Sequence, residues 1–234
     1  MTPANYRPIS LTSHVMKVFE RVIKSYLLKH LEVNNMIRHN QHGFVSGRST
    51  QTQLMQHYCD VFDALQEDVR FDTVYLDFAK AFDKVNHHIL IKKLMKHKIK
   101  GKLISWIRNF LCNRKYCVVA NGTMSEKHDV LSGVPQGTVL ASLFFIIMIA
   151  DIDQDLENSI SRLFADDTKV SAKIRSQEDS NNLQQDLDKI YAWADDNLMQ
   201  FNEDKFQQLS HGVTKNVGKG VYKTKSGKKK ANNR

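Results

Sequence analysis

The chain has 234 residues, 41% hydrophobic and 25% charged, with a formal net charge of +9. That length supports a real core, in one large domain or two small ones, and the composition excludes a collagenous, disulfide-dense or wholly disordered chain. The longest apolar run, residues 139–150, contains Ser142 and is too short to span a membrane, and Met1-Thr2-Pro3-Ala4-Asn5-Tyr6-Arg7 lacks the apolar centre of a secretory signal.

Taken in order, Tyr6-Arg7-Pro8-Ile9-Ser10 is extended, because Pro8 disfavours helix at Arg7. Thr12 or Ser13 can cap a helix whose apolar stripe is Val15, Val18, Phe19, Val22, Ile23, Tyr26, Leu27 and Leu31. Asn34-Asn35 ends it, and Gln41-His42-Gly43-Phe44-Val45-Ser46-Gly47-Arg48-Ser49 is a glycine-punctuated loop. Ser49 can cap a second helix with Leu54, Tyr58, Val61, Phe62 and Leu65 inward. Thr73-Val74-Tyr75-Leu76-Asp77-Phe78 has the β-branched and aromatic content of a buried strand. An unpaired buried carboxylate is costly, so Asp77 is neutral, paired or bound to a metal.

Residues 89–97 and 102–113 are expected to form two helices separated by Gly101, the second with Leu103, Ile104, Ile107, Phe110 and Leu111 inward. Strands over 116–120 and 127–131 flank an Asn121-Gly122 turn. Ser132-Gly133-Val134-Pro135-Gln136-Gly137 opens an apolar helix over 139–150, whose N-terminus is placed to face an anion. Residues 160–165 and 168–174 form a β-hairpin with Asp166 and Asp167 at its tip. Neighbours on a strand point to opposite faces, but a reversing turn can aim both side chains at one place. Two carboxylates so close repel unless a cation sits between them; taken alone, such a pair is usually a solvated turn. Leu183, Leu187, Ile190, Tyr191, Ala194 and Leu198 mark an amphipathic helix, and Phe201-Asn202-Glu203-Asp204-Lys205 leads to a strand near 206–209.

Eight of the 34 Lys and Arg residues fall in 211–234, which holds no acid, so residues 1–210 carry 26 basic against 25 acidic residues. The final stretch is almost devoid of large apolar residues and is expected to be disordered. Residues 84–115 hold ten Lys/Arg and no acid, the pattern either of a polyanion-binding surface or of a solvated helix face. Cys59, Cys112 and Cys117 show neither paired nor metal-ligand spacing, as in a reduced intracellular protein. The element order fits an α+β domain, an antiparallel sheet backed on one face by helices, with Asp77, Asp166 and Asp167 meeting at one sheet edge.

Three stretches then resemble successive core motifs of reverse transcriptases of the non-LTR (LINE-type) retrotransposons: Val74-Tyr75-Leu76-Asp77-Phe78-Ala79-Lys80-Ala81-Phe82-Asp83, Ser132-Gly133-Val134-Pro135-Gln136-Gly137-Thr138-Val139-Leu140 and Phe164-Ala165-Asp166-Asp167. Tyr6-Arg7-Pro8-Ile9-Ser10, Gln41-His42-Gly43-Phe44 and Leu198-Met199-Gln200-Phe201-Asn202-Glu203-Asp204-Lys205 resemble three more, in the family's order. The resemblance implies a right-hand polymerase: partial helical fingers over 1–70 and a palm over 71–210 with a fingers insertion at about 84–130. A disordered basic tail over 211–234 would follow, with the thumb and an endonuclease domain missing. It implies that Asp77, Asp166 and Asp167, with the Phe78 carbonyl, hold two Mg²⁺ ions, Mn²⁺ being an alternative. Phe82 would exclude a ribose 2′-OH, which disfavours an RNA product. Gln136 and Arg7 would contact the nucleotide, Lys205 would protonate pyrophosphate, and Arg48 would be a phosphate contact. The implied partners are an RNA template, a DNA primer and dNTPs, and the implied activity is RNA-directed DNA synthesis. The alternative is a catalytically inactive retroelement fragment that binds nucleic acid. Departures are Ala141-Ser142, where the family usually has Gly-Pro, and Phe164, where tyrosine is commoner. Lys228-Lys229-Lys230 hints at nuclear entry.

Overall fold

The computed structural model describes residues 6–213, 217–218 and 220–227. In chain order the elements are α1 (His14–Val33), α2 (Thr50–Gln66), β1 (Arg70–Leu76), α3 (His87–Lys96), α4 (Gly101–Leu111), β2 (Lys115–Tyr116), β3 (Val119–Ala120), β4 (Thr123–Met124), β5 (His128–Asp129), α5 (Ala141–Ile149), β6 (Ile160–Phe164), β7 (Asp167–Ile174), α6 (Gln177–Asp196), a 3₁₀ turn (Glu203–Lys205) and β8 (Gln207–His211). Two compact units divide the chain: Met1–Ile37 with Lys80–Ile149, and Arg38–Ala79 with Ala150–Arg234. Among the described residues, no helix is long and apolar enough to cross a membrane.

In the first unit, α5 is apolar all round and every residue but Ser142 is buried, as such a helix requires. Its ends are matched by buried charges. The fully buried Glu20 of α1 accepts from the Leu140 N–H at 3.1 Å, and Lys93 of α3 donates from Nζ to the Met148 carbonyl at 2.6 Å. An anion at the start and a cation at the end complement the helix dipole. The start of α5, expected to face an anion, meets the protein's own Glu20 side chain. That contact also orients α1: Ile23, Leu27 and Leu31 are buried beside Glu20 on that helix, while Val15 (80% exposed), Val18, Val22 and Tyr26 of the expected inner stripe face out. Ser13 is the cap, accepting from the Met16 N–H. From α3 and α4, Leu90, Ile91, Leu94, Ile107 and Leu111 are buried. The expected hairpin is two short pairings, β2 with β5 and β3 with β4, closed at Asn121-Gly122, where both φ angles are positive.

In the second unit a four-stranded antiparallel sheet runs β6-β7-β1-β8. Val74, Leu76, Val170 and Ile174 on one face, and Leu183, Leu187 and Ile190 of α6, are buried. Helix α2 covers the opposite face, so helices back both sides. It buries Gln53, His57, Val61 and Ala64, leaving Leu54, Tyr58 (59% exposed), Phe62 and Leu65 of the expected face in solvent. The reason is chemical. The covered face carries Lys169, whose Nζ donates to Gln53 Oε1 at 3.2 Å, and Arg162, which forks onto Asp60 at 2.7–2.9 Å. Polar partners, not the widest apolar arc, choose the buried side.

The basic tail is not disordered where it is described. Tyr222 is 1% exposed and donates from its hydroxyl to Asp72 Oδ2 at 2.7 Å. Gln208 donates from Nε2 to the Gly220 carbonyl at 2.6 Å, and Gln184 Oε1 accepts from the Lys223 N–H at 2.8 Å. One buried tyrosine and a set of backbone ties hold a segment whose composition promised none. Lys228-Lys229-Lys230 lies outside the described residues.

Candidate active site

Strand β1 pairs with β7 through Leu76↔Thr168. The next positions along the two strands are Asp77 and Asp167, and residues directly opposite in an antiparallel pair share a face. The β6–β7 turn is Ala165-Asp166, with Phe164 paired to Asp167. Asp167 is therefore the first strand residue, while Asp166 sits in the turn. Ala165 turns the corner with φ +53°, a conformation an alanine adopts only under constraint.

That constraint comes from the segment before α2, whose role sequence reasoning did not predict. Gln41 is buried, and its Oε1 accepts from both the Gly43 N–H (2.7 Å) and the Ala165 N–H (3.0 Å). The His42 N–H donates to the Leu163 carbonyl and the Leu163 N–H to the Asn40 carbonyl, so this segment lines the β6 edge in parallel. A Cβ on Gly43 would lie 2.2 Å from the Ala165 nitrogen, so only glycine fits. The Gln41-His42-Gly43 motif was legible as a loop; its grip on the hairpin was not, because 124 residues separate Gln41 from Ala165.

Beyond β1, the Phe78 ring stacks on Phe201 at 4.2 Å, the Asn202 N–H donates to the Asp77 carbonyl at 2.7 Å, and the Ala79 N–H to the Gln200 carbonyl at 2.8 Å. These ties bring the 3₁₀ turn to Asp77, and Lys205 Nζ lies 2.9 Å from Asp77 Oδ2. Loss of hydration at the tip, although Asp167 retains solvent access, and then the charges of Asp166 and Asp77 push the Asp167 carboxyl above its usual range. The Asp77 carboxylate in turn holds the Lys205 ammonium above its ordinary value. Mutually repelling hard oxygen donors are a set suited to a divalent cation. As the side chains stand, no three such donors among the described residues close on one point, and Lys205 supplies the positive charge at Asp77.

The remaining expected site residues belong to the first unit. Phe82 stacks on Phe145 at 4.6 Å with the rings 14° apart. Gln136 donates from Nε2 to Asp83 Oδ1 at 2.7 Å, and its carbonyl accepts from the Ser10 N–H. Arg7 is exposed. Arg48, in the second unit, is spent on structure, donating to the carbonyls of Arg38 and Gln41.

The chain is similar to known proteins in sequence and in fold. It is 31% identical over 182 residues to the probable RNA-directed DNA polymerase from transposon X-element of Drosophila melanogaster, a match covering 76% of this chain and 20% of that protein. It is 32% identical over 200 residues to the RNA-directed DNA polymerase from mobile element jockey of Drosophila funebris, covering 81% and 22%. The chain thus spans about a fifth of the length of these curated relatives. Among solved structures, apo telomerase from Candida tropicalis truncated from its C-terminal domain aligns with a TM-score of 0.61 at 12% identity, over 84% of this chain and 41% of that one. Telomerase from Candida albicans with a fragment of telomeric RNA gives 0.61 at 15% identity, over 88% and 35%. At such identities the likeness is one of fold, and it agrees with a polymerase fingers-and-palm architecture. The family described as reverse transcriptase (RNA-dependent DNA polymerase) matches residues 2–228, nearly the whole chain, and the protein belongs to it.

Proposed function

We propose that this chain is the fingers-and-palm portion of an RNA-directed DNA polymerase that extends a DNA primer on an RNA template with dNTPs. The observation that carries the reading is the register of β1 against β7, which sets Asp77 beside Asp167 and the Asp166 turn. Asp77 and Asp166 are the principal metal-binding carboxylates, Asp167 completes the set, and the Phe78 carbonyl adds a ligand. Reverse transcriptases use divalent metal ions, and two Mg²⁺ ions, or Mn²⁺, held here would lower the pKa of a primer 3′-OH and stabilise the leaving pyrophosphate during in-line displacement.

The chain's own residues do the rest. Lys205, paired with Asp77, is the proton donor to the leaving pyrophosphate. Phe82, fixed by its stack on Phe145, excludes a ribose 2′-OH by bulk. Arg7 offers the triphosphate a fork of donors and Gln136 contacts the nucleotide. Lys92, Lys96, Lys98, Lys100, Lys102 and Arg108, all exposed on or beside α3 and α4, follow a nucleic-acid backbone.

The test is primer extension by the full chain on an RNA template. Incorporation should require Mg²⁺, prefer dNTPs over rNTPs and fall on the order of 10³-fold in Asp166→Ala, because metal-borne charge stabilisation is worth several kcal/mol. Undiminished extension by that variant rejects the assignment. Salt-sensitive binding of nucleic acid with no incorporation would leave a binding role alone.

A further inference from the structure

The described residues 217–218 and 220–227 do more than fill a groove. Glu203, in the 3₁₀ turn, accepts from the Thr224 hydroxyl at 3.2 Å, from the Ser226 N–H at 3.1 Å and from the Ser226 hydroxyl. Two positions on, Lys205 reaches Asp77. The segment's other end is fixed deep in the sheet. Arg70 donates to the Gly218 carbonyl at 2.7 Å, Tyr222 donates to Asp72, and Gln208 grips Gly220 and Tyr222 through both ends of its amide. Lys225 pairs with Asp195 near the end of α6. The turn that carries Lys205 is thus held between Asp77 on one side and a strap anchored in β1, α6 and β8 on the other.

We infer that this strap is a positioning element: through Glu203 it holds the 3₁₀ turn so that the Lys205 ammonium stays at Asp77. The inference deepens the polymerase reading, since Lys205 and Asp77 belong to that site. Its physical basis is entropy. A lysine on a free turn gives up much of its freedom to hold one geometry, which is why exposed ion pairs are weak. A turn already fixed by three hydrogen bonds to Glu203 removes the backbone's share of that loss. Gly220 makes the strap's fit specific, because a Cβ there would lie 2.8 Å from Asp72 Oδ2 and 2.9 Å from the Tyr222 hydroxyl.

The test is a double-mutant cycle read by urea denaturation of the full chain. Asp77→Asn, Lys205→Met and the double variant measure the coupling between the two side chains, and the cycle is repeated in a Glu203→Ala background. The expected result is a coupling that is present with the strap tied and lost without Glu203. A strap that only adds stability would lower all four proteins equally and leave the coupling unchanged, which overturns the inference. Should Glu203→Ala fail to fold, Thr224→Val with Ser226→Ala removes the two hydroxyl ties from the strap side, leaving only the Ser226 N–H, and should also weaken the coupling. Gly220→Ala should weaken the coupling in the same direction. The cycle needs neither metal nor nucleotide, so its failure is distinct from a failure to polymerise. If extension is observed, Glu203→Ala should lower turnover and not the apparent dNTP affinity, and it should have no further effect once Lys205 is replaced.

Discussion

On the α6 side of the four-stranded sheet, Val74, Leu76, Val170 and Ile174 are sealed from water, as are Leu183, Leu187 and Ile190 of the helix. On the α2 side, Lys169 and Arg162 are met by Gln53, Gln56 and Asp60. The first side is held by area, which is non-directional and tolerates exchange of one apolar residue for another of like volume. The second also buries Val61, Ala64 and Phe71, and adds hydrogen bonds and charge, which specify orientation and fail when a partner is lost. Asp77 and Asp167 extend this second face, so the acidic site grows out of the layer where geometry, as well as area, is specified.

Removing volume from the apolar side should have the largest effect on stability. Leu187→Ala leaves a cavity at a fully buried position and should cost about 2–5 kcal/mol of unfolding free energy in urea. That loss should be nearly the same at pH 5 and pH 8, since no titrating group is involved.

The polar side should instead betray itself through pH. Burial above all, with Lys169, His211 and Arg162 adding and Asp60 opposing, lowers His57 from 6.5 to about 4. The folded state therefore binds this proton less readily than the unfolded state. Stability is complete above pH 6.5 and is lost as pH falls from there toward 4, by up to about 3 kcal/mol. His57→Gln should flatten the stability curve across that window. An unchanged acid limb would show that the α2 side does not bury a neutral imidazole.

The smallest effect should come from the tip. The raised Asp167 carboxyl takes up its proton at higher pH when folded, so its charge costs stability at neutral pH and the cost vanishes as pH falls through its raised value. Asp167→Asn should raise the melting temperature at pH 7 by under about 4 °C, and do less at pH 4. A destabilised variant would mean that the carboxylate is paired and not repelled. A gain in stability with a loss of extension would mark a position kept for chemistry against the interest of folding.

Local signals were well written in the sequence. The caps at Ser13 and Ser49, the Asn121-Gly122 turn, the apolar α5 and the acidic hairpin all follow from short-range rules. The faces of α1 and α2 did not follow, because each is fixed by a polar residue seated far away: Glu20 at the start of α5, and Gln53 and Asp60 on Lys169 and Arg162. Periodicity counts apolar residues and is blind to a charged residue with a buried partner. Tyr222 was missed for the same reason, since a lone aromatic in a Lys/Gly-rich stretch gives no periodic signal. Of the candidate site, the acidic pair in a hairpin turn was legible; the β1–β7 register brings Asp77 opposite Asp167, but as the side chains stand no three acids among the described residues close on one point. The Gln41 amide that holds the corner was invisible.

That amide has a consequence for how the acidic pair can adapt. With the Ala165 nitrogen tethered and Gly43 pressed against it, the tip has no backbone slack. If the aspartates hold ions, as proposed, those of different radius would have to be accommodated mainly by rotation of carboxylate torsions. An insertion near Gly43 would re-aim both aspartates while leaving each of them, and every residue of their hairpin, unaltered.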